Sequence, residues 1–227
     1  MDKFLVGKIT NWNGMVMHIE AEFDNTYVWD KFDPKECEIR LIDSRSISKI
    51  QRRKAYKLLK DISLHTGHQP EELKEHFKYD LILRTDYPYF SLSNCEMSVA
   101  YEYITLLIEF CLEWDVPTRD ALLEYAPDIG KFLYMCLYHK KCCICQKEGE
   151  THHVDRVGIG RNRNEICHIG MLAQCLCRKH HDECHNDGQI SFNEKYHVFG
   201  IKLDKLLVKR LKLGKWRDEE LVCHAED

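Results

Sequence analysis

The stretch CRKHHDECH (Cys177–His185) decides how this chain is read, because nine residues carry two cysteines and three histidines. If the stretch is helical, the adjacent side chains of His180 and His181 diverge by about a hundred degrees and cannot serve one ion. His181 and His185 stand four apart and share a face. The helix can therefore offer His180 to one metal ion and the His181/His185 pair to a second.

Upstream, CCICQKEGETHHVD supplies Cys142-x-x-Cys145, a tight turn that presents two thiolates to one ion. Cys177-x-x-His180 supplies a second pair, and together the pairs make a tetrahedral Cys3His set of the kind that holds structural zinc. Cys143 is an alternative to Cys142 on spacing alone. The doublet His152-His153 is the candidate source of a third ligand for the second ion. On a strand, successive side chains point to opposite sides, so one imidazole can bind metal while its neighbour meets a water from another direction.

The remaining composition narrows the class. The chain has 227 residues, a net charge of −4 and 12 cysteines. The charge argues against an indiscriminate polyanion binder, yet basic residues cluster locally in RSISKIQRRKAYKLLK (Arg45–Lys60) and RVGIGRNRN (Arg156–Asn164), neither of which contains an acid. Nothing approaches the run of apolar residues that a membrane span needs, and the start MDKFLVGKIT has no secretory pattern. A cytoplasmic protein with reduced or metal-bound cysteines is expected. Cys37, Cys95, Cys111, Cys136 and Cys223 stand alone and read as small buried hydrophobes.

Four segments are expected. Residues 1–43 are β-rich, with VGKITNWNGMVMHIEAEF forming a hairpin turned at NWNG, and YVWDKF and CEIRLI as further strands. Residues 44–139 are helical. Ala55, Leu58, Leu59 and Ile62 make an apolar stripe ended by Gly67, Pro70-Glu71-Glu72 opens a helix reaching Phe77, and Ser93 or Ser98 caps the next helix, with Ser93-x-x-Glu96 in capping-box spacing. Two further helical pieces flank Pro127. Residues 140–202 hold the Cys/His cluster, and 203–227 form a helix or tail running from basic to acidic.

CCIC…ETHHVD…LCRKHHDECH resembles the HNH endonucleases, the ββα-metal fold in its zinc-knuckle form, and HHVDRVGIGRNRN…LCRKHHDECHNDG is especially similar to the HNH nucleases of bacteriophages. The resemblance implies an α+β chain: a small N-terminal sheet, a helical region, and a C-terminal ββα-metal domain with a structural zinc. It implies that His152, His181 and His185 ligate a catalytic divalent ion and that His153 is the general base. Cys142, Cys145, Cys177 and His180 would hold the zinc. An all-imidazole site suits zinc, nickel, cobalt or manganese better than magnesium. The family's middle asparagine is absent from residues 169–176, leaving His168, Asn162 or Asn164 to take its place. Arg156, Arg161 and Arg163 would grip the backbone of DNA, and cleavage would leave 5′-phosphate and 3′-hydroxyl ends.

Residues 44–125 resemble, in helix pattern and basic residues, the NinB (Orf) phage recombination mediators, which bind single-stranded DNA and act with single-strand-binding protein. That likeness implies DNA contacts at Arg52, Arg53 and Lys57, a single-stranded or branched substrate, and a place in phage recombination or replication. The competing expectation is a non-catalytic recombination mediator with a zinc-braced tail. A zinc-ribbon transcription regulator would leave His152, His153, His181 and His185 unexplained.

Overall fold

The structure, a computed structural model, describes residues 7–21, 45–154 and 166–214. The strands expected at YVWDKF and CEIRLI, the residues Arg156, Arg161, Asn162, Arg163 and Asn164, and the chain after Gly214 lie outside the described residues. The chain divides into two units, residues 1–42 and 43–227.

In the first unit, β1 (Gly7–Trp12) pairs antiparallel with β2 (Met17–Ala21). The turn forms where NWNG predicts it. Asn13 Oδ1 accepts the N–H groups of Met15 and Val16 at 3.1 and 2.8 Å, the local bonding that makes asparagine a turn former.

The second unit opens with helix α1 (Lys49–Thr66), started by a capping box. Ser48 Oγ accepts from Gln51 N–H, and Gln51 Oε1 accepts from Ser48 N–H. The expected stripe of Ala55, Leu58, Leu59 and Ile62 is buried, and Gly67 closes the helix in the left-handed conformation at φ 79°. Helix α2 (Pro70–Thr85) runs past the expected end at Phe77, because Leu81 continues the buried face of Leu73 and Phe77 at four-residue spacing. Helix α3 (Met97–Glu113) is the most buried, and α1, α2 and α5 pack on it.

The capping box expected at Ser93 does not form. Glu96 is the N-cap, Ser93 Oγ bonds Ser91 and Asn94 instead, and Met97 N–H donates to Arg45 O at 2.7 Å. A non-local bridge between Ser46 and Glu96 thus outweighs the local capping pattern. Short α4 (Leu122–Tyr125) and α5 (Ile129–His139) flank Pro127 as expected, and Asp128 caps α5 through the Lys131 N–H.

The Cys/His region follows in the same unit and shares the helices' hydrophobic core. β3 (Glu150–His153), β4 (Leu172–Leu176) and β5 (Ile201–Lys202) form an antiparallel sheet in that order. Helices α6 (Arg178–Asp187), α7 (Gln189–Tyr196) and α8 (Lys205–Leu211) complete it. Helix α5 packs on β4 and on α8, and α6 packs on β4, so the central helices brace the ββα segment directly. No helix among the described residues is long and apolar enough to cross a membrane.

Candidate metal centre and histidine cluster

Two clusters form on opposite sides of a single helix turn. The first joins the turn after Lys141 to the start of α6. Cys142 N–H donates to Lys147 O, Gln146 N–H donates back to Cys142 O, and Gln146 adopts a left-handed φ of 57°, closing a tight knuckle. The knuckle lies against β4: a Cβ on Gly149 would stand 2.8 Å from Cys175 Sγ and 3.1 Å from Cys142 N, so only glycine permits this approach.

The knuckle brings Cys142, Cys145, Cys177 and His180 together, with one ligand atom from each inside 4.8 Å of the others. His180 Nδ1 is 3.3 Å from both Cys142 Sγ and Cys177 Sγ, and Cys145 Sγ is 3.6 Å from Cys177 Sγ. Ligand separations in a tetrahedral zinc site, given Zn–S near 2.3 Å and Zn–N near 2.0 Å, are about 3.5–3.8 Å. The donors therefore fit a structural zinc. The choice between Cys142 and Cys143 falls to Cys142, while Cys143 turns into the core and its N–H donates to Cys175 O at 3.0 Å. Burial pushes the Cys142 thiol up to about 12 and lowers His180. At Cys177 burial opposes ionisation, but donation from the backbone of His180 and from the Cys145 and Cys142 thiols holds the thiol below its ordinary value. A cation would displace the thiol protons and accept the neutral imidazole.

The second cluster is His152, His181 and His185, again with ligand atoms inside 4.8 Å of one another. The ring centroids are 4.8 Å apart for His152–His181, 5.2 Å for His152–His185 and 4.6 Å for His181–His185. His181 and His185 meet because they are one helical turn apart, and His180 points to the other cluster because it is adjacent to His181. Burial, and then the neighbouring His185, keep His181 below the ordinary imidazole value, hence neutral and ready to ligate. Its buried Nδ1 has no hydrogen-bond partner among the described residues, a need that a bound cation would meet. The residues fit a divalent ion with nitrogen ligands.

His153 follows His152 on β3 and stands on the opposite face, as the two-residue period of a strand requires. His152 is opposite Gln174 on β4, and His153 is opposite Ala173. His153 Nε2 lies 2.9 Å from Nδ1 of the buried His168.

The remaining expected site residues are placed as follows. Arg52 is half-buried and its guanidinium donates to the Ser93 carbonyl, Lys57 pairs with Asp120 at 2.7 Å, and Arg53 is exposed. Cys95, Cys111 and Cys136 are buried thiols as expected, whereas Cys167 is disulfide-bonded, contrary to the expectation of reduced or metal-bound cysteines throughout. Three polar groups were not singled out from sequence: Gln174, Gln189 and Asn193, which hydrogen-bond one another beneath His152. Only strand register could reveal them, since Gln174 reaches the site by standing across from His152.

The strands β3 and β4 and helix α6 thus carry a Cys3His cluster and a histidine triad, each able to hold a metal ion. The chain belongs to the family described as "Putative HNHc nuclease", which it matches over residues 18–214. No curated protein and no solved structure matches it.

Proposed function

We propose that the protein is a metal-dependent DNA endonuclease that hydrolyses phosphodiester bonds, with His153 as its general base. The observation that carries this reading is the split of the His152-His153 doublet. One ring enters a cluster of three imidazoles, and the other, on the opposite face of the strand, lies 2.9 Å from a different and buried histidine, His168.

The contact between His153 and His168 supports a division of roles between the two rings. Each neutral imidazole has one N–H donor and one acceptor nitrogen. If His153 donates Nε2–H to His168 Nδ1, its own Nδ1 keeps a lone pair and can take a proton from water. His168 then supplies the acceptor that the missing family asparagine would have supplied. His152, His181 and His185 would hold the catalytic ion, zinc, nickel, cobalt or manganese in preference to magnesium. When bound, such an ion stabilises charge on the phosphate and on the leaving 3′-oxygen. Cys142, Cys145, Cys177 and His180 would hold a zinc that fixes the start of α6, and with it the direction of His181 and His185.

DNA is the substrate this reading requires. Arg156, Arg161 and Arg163 would contact its backbone, as would Arg53 on the exposed side of α1. Arg52 and Lys57 would have to exchange their internal partners to do so. A single-stranded or branched substrate, association with single-strand-binding protein, action in the cytoplasm of a phage-infected host and a role in recombination or replication belong to the same proposal. The alternative, a non-catalytic mediator, leaves the His153–His168 pair without a purpose.

Plasmid DNA incubated with purified protein and manganese, cobalt, nickel or zinc tests the reading. We expect nicking that falls at least about a hundredfold in His153→Ala, the scale of a lost general base, with an unchanged circular dichroism spectrum. Equal cutting by that variant overturns the role of His153, and no cutting by the wild type with any metal overturns the enzyme.

A further inference from the structure

We propose that Gln189 is a positioning residue that sets the tautomer of His152 and so commits His152 Nδ1 to the cation. The proposal rests on the nuclease reading above for the cation itself, though not for the tautomer.

His152 Nε2 lies 2.8 Å from Gln189 Oε1, a contact that requires one of the two atoms to carry a proton. An amide oxygen never does, so the orientation of the Gln189 amide decides the tautomer of the ring. That orientation is tied to those of two neighbours. Gln189 Nε2 is 3.0 Å from Gln174 Oε1 and 2.9 Å from Asn193 Oδ1, which uses both protons of its NH2 group. Gln174 Nε2 also donates to Asn193 Oδ1, at 2.9 Å, so that oxygen accepts twice. The Cys184 thiol lies 3.4 Å from Gln189 Oε1 and 3.6 Å from His152 Nε2, and the oxygen is the nearer and stronger acceptor for its S–H. With its N–H groups consumed, Gln189 offers His152 an acceptor only. His152 must answer with Nε2–H, and the lone pair of its neutral ring then sits on Nδ1.

The placement of these residues follows from three different parts of the chain. Gln174 stands across from His152 on β4 and is buried, while Gln189 and Asn193 are four apart on one face of α7. Four polar side chains have been gathered into a closed set in which each amide satisfies another. Burying such groups is costly unless all are satisfied, and a satisfied network is rigid. Ligating histidines commonly have their second nitrogen held in this way, and loss of the holding group weakens metal affinity by about ten- to a hundredfold. The inverse arrangement, with all three amides reversed, would turn an N–H group toward His152 and place the ring proton on Nδ1, which would then be unable to ligate.

The test uses the full chain carrying 15N-labelled histidine and one equivalent of zinc. Ring nitrogen shifts in the absence of a second metal report which nitrogen of His152 is protonated, and cobalt(II) titration followed by its visible absorption reports the affinity of the triad. We expect Nε2–H in the wild type. In Gln189→Leu we expect a mixture of tautomers and cobalt(II) binding weakened about ten- to a hundredfold. In Gln189→Glu, which restores an acceptor oxygen, Nε2–H should persist. A proton on Nδ1 in the wild type overturns the assignment, as does a Gln189→Leu chain with unaltered tautomer and cobalt(II) affinity. If Gln189→Leu does not fold, the wild-type tautomer and Gln189→Glu decide the matter. A wild type with Nε2–H that takes up no second ion supports the tautomer assignment and defeats the nuclease reading instead.

Discussion

His168 Nδ1 lies 2.9 Å from His153 Nε2, across fifteen residues of chain, and His168 itself is only 3 % exposed. At that distance one ring donates and the other accepts, so the tautomer of each ring is tied to that of its neighbour. His168→Ala should therefore lower kcat by roughly ten- to a hundredfold, a part of the effect of losing a general base, with KM little changed. His168→Asn, which can still accept from His153 Nε2–H, should recover most of the rate. Equal loss in the two variants would show that the acceptor is not what His168 contributes.

The Cys3His cluster should contain one zinc per chain, measurable by elemental analysis of protein purified without chelator. Cys145→Ser should lose that zinc and lower the thermal midpoint by about 10 °C or more, because zinc binding to such a cluster is folding free energy. Zinc retained at one equivalent in Cys145→Ser would refute the ligand set.

Gly149→Ala should destabilise the fold by about 1–3 kcal/mol, the usual cost of forcing atoms into a packed site. The added methyl meets the buried Cys175 Sγ and the backbone of Cys142 and Leu176, and the backbone atoms cannot swing aside. Denaturant unfolding would measure it, and zinc affinity should fall in parallel because the same backbone carries Cys142.

Asp61 is buried, and both of its oxygens are used: Oδ1 accepts from Arg119 Nε at 2.8 Å and Oδ2 from the Arg119 N–H at 3.2 Å. Arg119→Ala should cost about 1–2 kcal/mol by leaving the carboxylate with the backbone donor alone, less than for a fully buried pair because half of Arg119 faces water. Chemical denaturation of the variant at neutral pH measures the loss, and a change within experimental error would mean that water replaces the guanidinium.

Acid should weaken the fold before it titrates the carboxylates. Burial lowers His139, His180 and His181 in the folded chain relative to the unfolded one. As pH falls through the ordinary imidazole range the unfolded chain takes up protons first, so stability present above that range is lost. His139 lies outside both clusters, and its buried Nε2 has no hydrogen-bond partner among the described residues. His139→Gln should therefore flatten the fall in thermal midpoint between about pH 7 and pH 5.5 without affecting zinc content. An identical slope in the variant would remove His139 from the account.

The sequence by itself determined whatever depends on short spacing. The division of His180 from His181, the pairing of His181 with His185 and the helix ending at Gly67 all follow from helical or turn geometry over four or five residues. The end of α2 and the start of α3 escaped it, because the first depends on a buried face continued by Leu81 and the second on a bridge from Ser46 to Glu96. Only the tertiary structure decided that Cys142 rather than Cys143 joins the cluster, that His168 meets His153, and that Gln174, Gln189 and Asn193 lie beneath His152. These are consequences of the register between β3 and β4 and of the packing of α6 and α7 on one another. A one-residue slip of that register would place Gln174 on the far face of the sheet, and nothing in the local residues forbids such a slip.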